Sequence, residues 1–574
     1  MAGRKRSSCR AGEEEDINTI YMKKHSFLFL CLFLLAAPLV KAQDSRFAVH
    51  LSDKDPLHNP HSLEEPSEYL SQRAIERRRS MGIAPDLSDL PVSSRYIDSI
   101  RGWVHRIQNR SRWMNLLVVE APDSVPSRLE AMAFVDSVKR IGPGASKEKG
   151  SSLRSVQSSD TSRSSKGNNP ADSSLYGYAW EQIKMLNGHL LHQGGFQGEG
   201  LLIAVMDAGF KGADRMMAFD SLWANNRVRD IRDFEDHDGQ VFDAHTHGTM
   251  VLSVMATNMP GMYRGTAPGA DFLLLRTEVS GSEYISEEYN WIAAAEFADS
   301  AGADIINSSL GYSTFDDSTQ NHTYPDMDGA TTPITRAASM AAAKGILVVS
   351  SAGNLGNDPW NYIGAPADAD SIITVGAVDP NRNYASFSSK GPSFDGRIKP
   401  EVAAQGVATV VQSLESMPSY ANGTSFSAPV ISGLMACLWQ KYPQDSNMEL
   451  RERLITHASQ YANPDTLTGY GIPNFSRAAE LGFESIGGQA IEIYPNPFRS
   501  SFQIKFPDVT TTEKNLMIEI YDILGKKAYT HILQDTVAGR TLTIDALAGY
   551  SPGLYLVKIT LGQKLIRQEK IVKE

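Results

Sequence analysis

Cysteine is nearly absent. The 574 residues contain three, Cys9, Cys31 and Cys437, and the first two lie in or ahead of a targeting segment. A chain trimmed of that segment keeps one thiol, which excludes an internal disulfide even in an oxidising compartment. Stability must then come from packing, with bound ions as the remaining aid. Long apolar runs are also scarce: the one at residues 27–40 is short for a membrane span, so no transmembrane span is expected in the mature chain. No basic tract is present, and the formal net charge of −11 argues against nucleic acid or an anionic membrane as the main partner.

The short apolar run has its own reading. "MKKHSFLFLCLFLLAAPLVKAQ" from Met22 combines two lysines, an apolar stretch and the small Ala42 before Gln43, the layout of a secretory signal peptide. The acidic "EEED" at 13–16 does not suit the region ahead of such a segment, so Met22 reads as the start. Leu30 before Cys31 is bulkier than the small residue of a lipoprotein signal.

Composition then divides the chain. After the extension and signal at 1–42, residues 43–142 read as a small α+β unit. "EYLSQRAIERRRSMG" has helical spacing with a Gly stop, "LPVSSRYIDSIRG" predicts a second helix, and "RWMNLLVVEAP" a strand ended by Pro122; "SRLEAMAFVDSVKRI" is expected to be a further helix. Residues 143–175 turn to Ser, Lys, Gly, Asp and Asn, the composition of a flexible linker open to proteolysis. Over 176–486, apolar runs such as "GLLIAVMDAG", "DFLLLRT", "ADIINSSLG", "GILVVSSAGN" and "SIITVGAV" alternate with helical stretches. That alternation predicts an α/β domain, a parallel sheet with helices on both faces. Residues 487–574 change again, to short alternating strands with turn residues between them, a small all-β sandwich.

The α/β domain holds residues suited to nucleophilic hydrolysis, which needs a nucleophile, a base within reach and a group that orients the base. Asp207 ends an apolar strand, where open parallel sheets place their ligand sites. "HTHGT" offers His247, with His245 as an alternative base, ahead of an apolar stretch. "GTSFSAPVISGLMACLW" places Ser425 just before a helix apolar nearly all round. Taken alone, the Ser425 stretch favours a helix-capping residue over a nucleophile, and Asp207 has a lesser alternative reading as a cap on the turn into Gly209.

Together these motifs resemble the subtilisin-like serine peptidases, the subtilases, in the chain order Asp, His, Ser. "SSAGN" at 350–354 is similar to the family segment that carries an oxyanion-hole asparagine. The resemblance spans roughly residues 176–483 and implies a triad of Asp207, His247 and Ser425, with Asn354 as oxyanion donor. The family's His-Gly-Thr pattern falls on His247 rather than His245. It also implies that Ser280 and Gly281, and Ser309, Leu310 and Gly311, are edges that pair with an extended peptide substrate. "YIGAPAD" around Ala365 resembles the wall of the primary specificity pocket, with an expected preference for apolar or aromatic side chains before the cut. Two residues depart from the pattern: Ala208 stands where Ser or Thr usually follows the aspartate, and Phe426 where methionine usually follows the serine.

By the same resemblance, residues 43–142 sit where subtilases carry an inhibitory propeptide, the rival reading being a permanent accessory domain. Residues 487–574 look like a type IX secretion system sorting domain, through "YPNPF" at 494–498, "IEIYDILGK" at 518–526, "PGLYLVKI" at 552–559 and the terminal "EKIVK". The expectation is a serine endopeptidase made as a zymogen, secreted or held at the outer cell surface by way of the periplasm. Its partners would be protein or peptide substrates and the type IX machinery. No cofactor is expected for the chemistry; calcium is common in the family, but no loop is distinctive enough to assign metal ligands. The alternative from another class is a catalytically silent binding protein on the same fold.

Overall fold

Seven parallel strands build the centre of the molecule, all but the edge strand Val228–Asp233 buried on both faces, and the pattern of their side chains dictates what covers them. The computed structural model describes residues 44–144, 173–414, 417–480, 491–506, 516–522, 526–533, 539–561 and 564–574. The signal peptide at 22–42, Cys9, Cys31 and nearly all of the 143–175 linker lie outside the described residues.

The amino-terminal unit is an antiparallel sheet of β1 (Ser45–Leu51), β2 (Arg106–Ser111), β3 (Leu116–Ala121) and β4 (Val135–Pro143), in the order β2-β3-β1-β4. Helices form at Gln72–Ser80 and Ser94–Arg101. Ser71 caps the first by accepting the Ala74 N–H, and Gly82 follows at φ +70°. The helix expected over 127–141 is a correction: only Pro126–Glu130 is helical, and the chain then pairs antiparallel with β1 as β4. Val135, Val138 and Ile141 are β-branched and find their burial at this edge of the sheet, so tertiary pairing overrides the local helical spacing.

The central sheet contains β5 (Leu202–Asp207), β6 (Val228–Asp233), β9 (Asp271–Arg276), β10 (Ile305–Ser308), β11 (Leu347–Ser351), β12 (Ile373–Val378) and β13 (Val402–Gln405). Its order is β13-β12-β11-β10-β5-β9-β6. Alternate side chains of one strand serve two cores. Ile203 and Val205 face one, with the helices His247–Ala256 and Thr424–Lys441, while Leu202, Ala204 and Met206 face the other, with Ser286–Ala301 and Pro333–Ala343. Two hairpins flank this sheet, β7 (Asn258–Met259) with β8 (Tyr263–Arg264) and β14 (Thr409–Val411) with β15 (Ser419–Ala421).

The carboxy-terminal unit is all-β. One sheet orders β16 (Glu492–Tyr494), β17 (Phe502–Lys505) and β20 (Thr541–Ile544); the other orders β19 (Lys527–Leu533), β18 (Leu516–Asp522), β21 (Gly553–Leu561) and β22 (Lys564–Lys573). Phe502, Ile504, Ile518 and Val557 fill the space between them.

The amino-terminal unit docks on the helix Ser286–Ala301. Ala48, Leu116 and Val118 join Tyr289 and Ile292 in a single apolar cluster. Around it run buried ion pairs: Asp299 accepts from Arg77 at 2.6 Å and from Arg78 and Arg112 at 2.7 Å each, and Glu235 accepts both ends of the Arg46 guanidinium. Buried charges persist only when paired and hydrogen-bonded, so this interface is matched residue by residue.

Among the described residues, no helix is long and apolar enough to cross a membrane.

Candidate active site

The groups singled out from the sequence gather at the carboxyl ends of four adjacent strands. Along β9-β5-β10-β11 the loops carry, in turn, Ser280 and Gly281, then Asp207, then Ser309 to Gly311, then Asn354. This is where an open parallel sheet offers a crevice.

Asp207 is fully buried. Both of its carboxylate oxygens lie 2.9 Å from His247 Nδ1, which donates to them. Oδ1 also accepts the Ala208 N–H at 2.8 Å, so the backbone holds the carboxylate where a following hydroxyl is missing. His247 opens its helix, and Gly248 is what lets that helix approach: a Cβ there would lie 2.9 Å from Asp207 Cβ and 2.5 Å from the Gly209 carbonyl. Gly209, at φ +145°, accommodates the turn after the aspartate.

Burial pulls the His247 pKa down, but the Asp207 charge and hydrogen bond, with the Glu278 charge, outweigh it and leave the imidazole above its ordinary 6.5. His245 takes a different part. Its Nδ1 accepts the His247 backbone N–H at 3.1 Å, capping the helix start, and burial with the neighbouring His247 charge lowers its pKa.

Ser425 stands in the first turn of Thr424–Lys441, with only 8% of its surface exposed. Gly423 ahead of it has φ +150°. Ser425 Oγ donates to the Ser309 carbonyl at 3.3 Å, and Ser309 Oγ donates back to the Ser425 carbonyl at 2.9 Å. The next ring, Phe426, lies 5.8 Å from the His247 imidazole, so the phenyl group packs beside the imidazole and helps confine it.

Asn354 projects from the loop after β11. Its Oδ1 accepts the Thr424 N–H at 2.9 Å and the Thr424 hydroxyl at 3.0 Å, and its Nδ2 lies 3.7 Å from a Cβ built on Gly423. With the carbonyl end committed, the amide N–H₂ is turned toward the start of the Ser425 helix. Thr424 is the residue that sequence reasoning missed; its only signal was its place between Gly423 and the serine.

Of the candidate substrate edges, Ser309 touches Ser425 directly, Leu310 lends its carbonyl to Ser351 Oγ at 3.3 Å, and Gly311 is exposed. Tyr312 and Ala365 exchange backbone hydrogen bonds at 2.8 and 3.0 Å, which brings the 309–311 segment beside the "YIGAPAD" wall. Ser280 and Gly281 are half-buried in the loop after β9, with Gly281 at φ +107°.

Comparison with known proteins gives this arrangement a family. Residues 198–471 match the subtilase family model. Subtilisin DY of Bacillus licheniformis is 30% identical over 302 residues, covering 52% of this chain and 97% of the relative. The chain is a member of the subtilase family. Subtilisin E of Bacillus subtilis (strain 168) is 30% identical over 52% of the chain and 70% of its own length, and alkaline elastase YaB of Bacillus sp. (strain YaB) 31% over 52% and 69%. Flanking this subtilase domain, residues 46–155 match the peptidase S8 propeptide domain of Bacteroidota and residues 492–574 a secretion system C-terminal sorting domain. This subtilase is therefore a subtilisin-like serine endopeptidase made with a propeptide. Its type IX sorting tail directs it to the cell surface or beyond.

Proposed function

We propose that this peptidase cleaves peptide bonds through an acyl-enzyme formed on Ser425. The observation that carries the reading is the hydrogen bond of His247 Nδ1 to a buried Asp207 carboxylate, which leaves Nε2 as the basic nitrogen. Rotation of the Ser425 side chain from the Ser309 carbonyl toward His247 Nε2 makes the oxygen a nucleophile. Ser425 Oγ attacks the scissile carbonyl carbon while His247 takes its proton; the imidazolium, steadied by Asp207, then protonates the leaving amine. Water attacks the resulting ester by the same steps in reverse, releasing the acid and Ser425. Asn354 Nδ2 and the Ser425 backbone N–H, at a helix start with its partial positive charge, stabilise the oxyanion.

An extended substrate lies between two backbone edges, Ser280 with Gly281 and Ser309 with Leu310 and Gly311. The side chain before the cut enters the pocket behind Gly311. The "YIGAPAD" wall beside it favours apolar or aromatic residues there. The amino-terminal unit keeps the enzyme latent until the chain is cut within 143–175.

The test compares wild type with Ser425→Ala for labelling by a fluorophosphonate probe and for casein cleavage after propeptide removal. Labelling and cleavage by wild type alone support the triad. Absence of both in the processed wild type replaces it with a silent binding protein.

A further inference from the structure

Beside the candidate cleft three carboxylates converge, two of them buried and Glu283 half-buried. Glu278 follows β9, Glu283 lies in the next turn, and Glu287 is in the first turn of Ser286–Ala301. One oxygen from each comes within 4.8 Å of the others. Glu278 is 7% exposed and Glu287 1%. Among the described residues, no lysine, arginine or histidine forms an ion pair with any of the three. Taking even one uncompensated carboxylate out of water is costly, and three at this spacing repel one another as well.

The hydrogen bonds leave an acceptor over. Tyr312 OH donates to Glu278 Oε1, as does the Thr277 hydroxyl at 3.1 Å, and Glu287 Oε1 accepts the Val279 N–H at 2.9 Å. Glu287 Oε2 is buried with no hydrogen-bond partner. A carboxylate oxygen so deeply placed, with one oxygen tied to the loop and the other unpaired within an acidic cluster, calls for a positive partner.

We propose that Glu278, Glu283 and Glu287 form a binding site for a hard divalent cation with the coordination chemistry of calcium. Calcium takes oxygen ligands at about 2.3–2.6 Å, so two ligands on opposite sides of one ion stand about 5 Å apart, and a common spacing within 4.8 Å lets all three oxygens reach it. A bound cation ties the two ends of the 278–287 loop together and braces the Ser280–Gly281 edge. That consequence rests on the proposed substrate path, whereas the binding itself does not.

The experiment uses the full chain carrying Ser425→Ala, dialysed against EDTA and titrated with terbium ions, a luminescent calcium probe. Tyr312, hydrogen-bonded to Glu278, stands close enough to sensitise it. The expected result is saturable luminescence excited through tyrosine and displaced by calcium chloride. Affinity falls about tenfold or more in Glu287→Gln and Glu283→Gln and is unchanged in the surface control Glu64→Gln. Removing one of three repelling charges relieves the fold, and circular dichroism of each variant checks that it is intact. Absence of saturable luminescence in the folded parent, or its survival undiminished in both glutamine variants, overturns the proposal. Because the readout needs no catalysis, its outcome is independent of the test of Ser425.

Discussion

Asn354 and Thr424 are joined by two hydrogen bonds, both accepted by Asn354 Oδ1, from the Thr424 N–H and from its hydroxyl. The same threonine hydroxyl accepts the Gly353 N–H at 3.2 Å. The oxyanion donor and the helix of the nucleophile are thereby held in one register.

Removing the donor should be severe and removing its anchor milder. Asn354→Ala is expected to lower kcat about 10²–10³-fold with little change in KM, as for loss of one oxyanion donor. Thr424→Val keeps the backbone bond and loses the hydroxyl, a change of about 1 kcal/mol or roughly fivefold in kcat. Steady-state kinetics on a chromogenic peptide separate the two.

Gly248→Ala places a methyl group against Asp207 and the Gly209 carbonyl. The helix of His247 must then shift, and misplacement by about 1 Å costs about 10²-fold. The expected outcome is a folded protein by circular dichroism with kcat/KM reduced by about that factor.

The pH dependence follows from the sign of the His247 shift. Its neutral form is the base and its pKa is raised, so kcat/KM should fall as pH drops through a value above 6.5 rather than below it. Asp207→Asn removes the charge that raises it and is expected to lower kcat about 10⁴-fold. A kcat/KM profile that stays flat down to pH 6 would contradict the assignment.

Asp299→Asn leaves Arg77, Arg78 and Arg112 converging on a neutral amide in the propeptide interface. Breaking a buried, hydrogen-bonded charge pair costs about 2–5 kcal/mol, so the cleaved propeptide should dissociate at least ~30-fold more readily. Size-exclusion chromatography of the processed Ser425→Ala protein, cut in trans, measures how much propeptide stays bound.

Some of this architecture was written plainly in the sequence and some was not. β5, β9, β10, β11 and β12 read as unbroken apolar runs because both of their faces are covered. β6 ("VRDIRD") lies at the edge of the sheet and alternates charge with apolar residues, and β13 is four residues long; neither carries that signal. Asp207, His247 and Ser425 sit in short motifs whose small residues are needed for close approach, as Gly248 shows. Thr424 acts through Asn354, which is distant along the chain, and Glu278, Glu283 and Glu287 meet only because a loop folds back onto a helix. Pairings of that kind leave no periodic trace.

The buried arginines of the amino-terminal unit bear on how the peptidase comes to exist. Asp299, Glu235 and Glu296 belong to the catalytic domain, and the groups that neutralise or bond them, Arg46, Arg77, Arg78, Arg112 and Ser111, belong to the propeptide unit. The mould therefore supplies counter-charge as well as shape. A catalytic domain made without it has to close its helix Ser286–Ala301 against a bare acidic face, and one parted from it would carry that face as an anionic scar of its own birth.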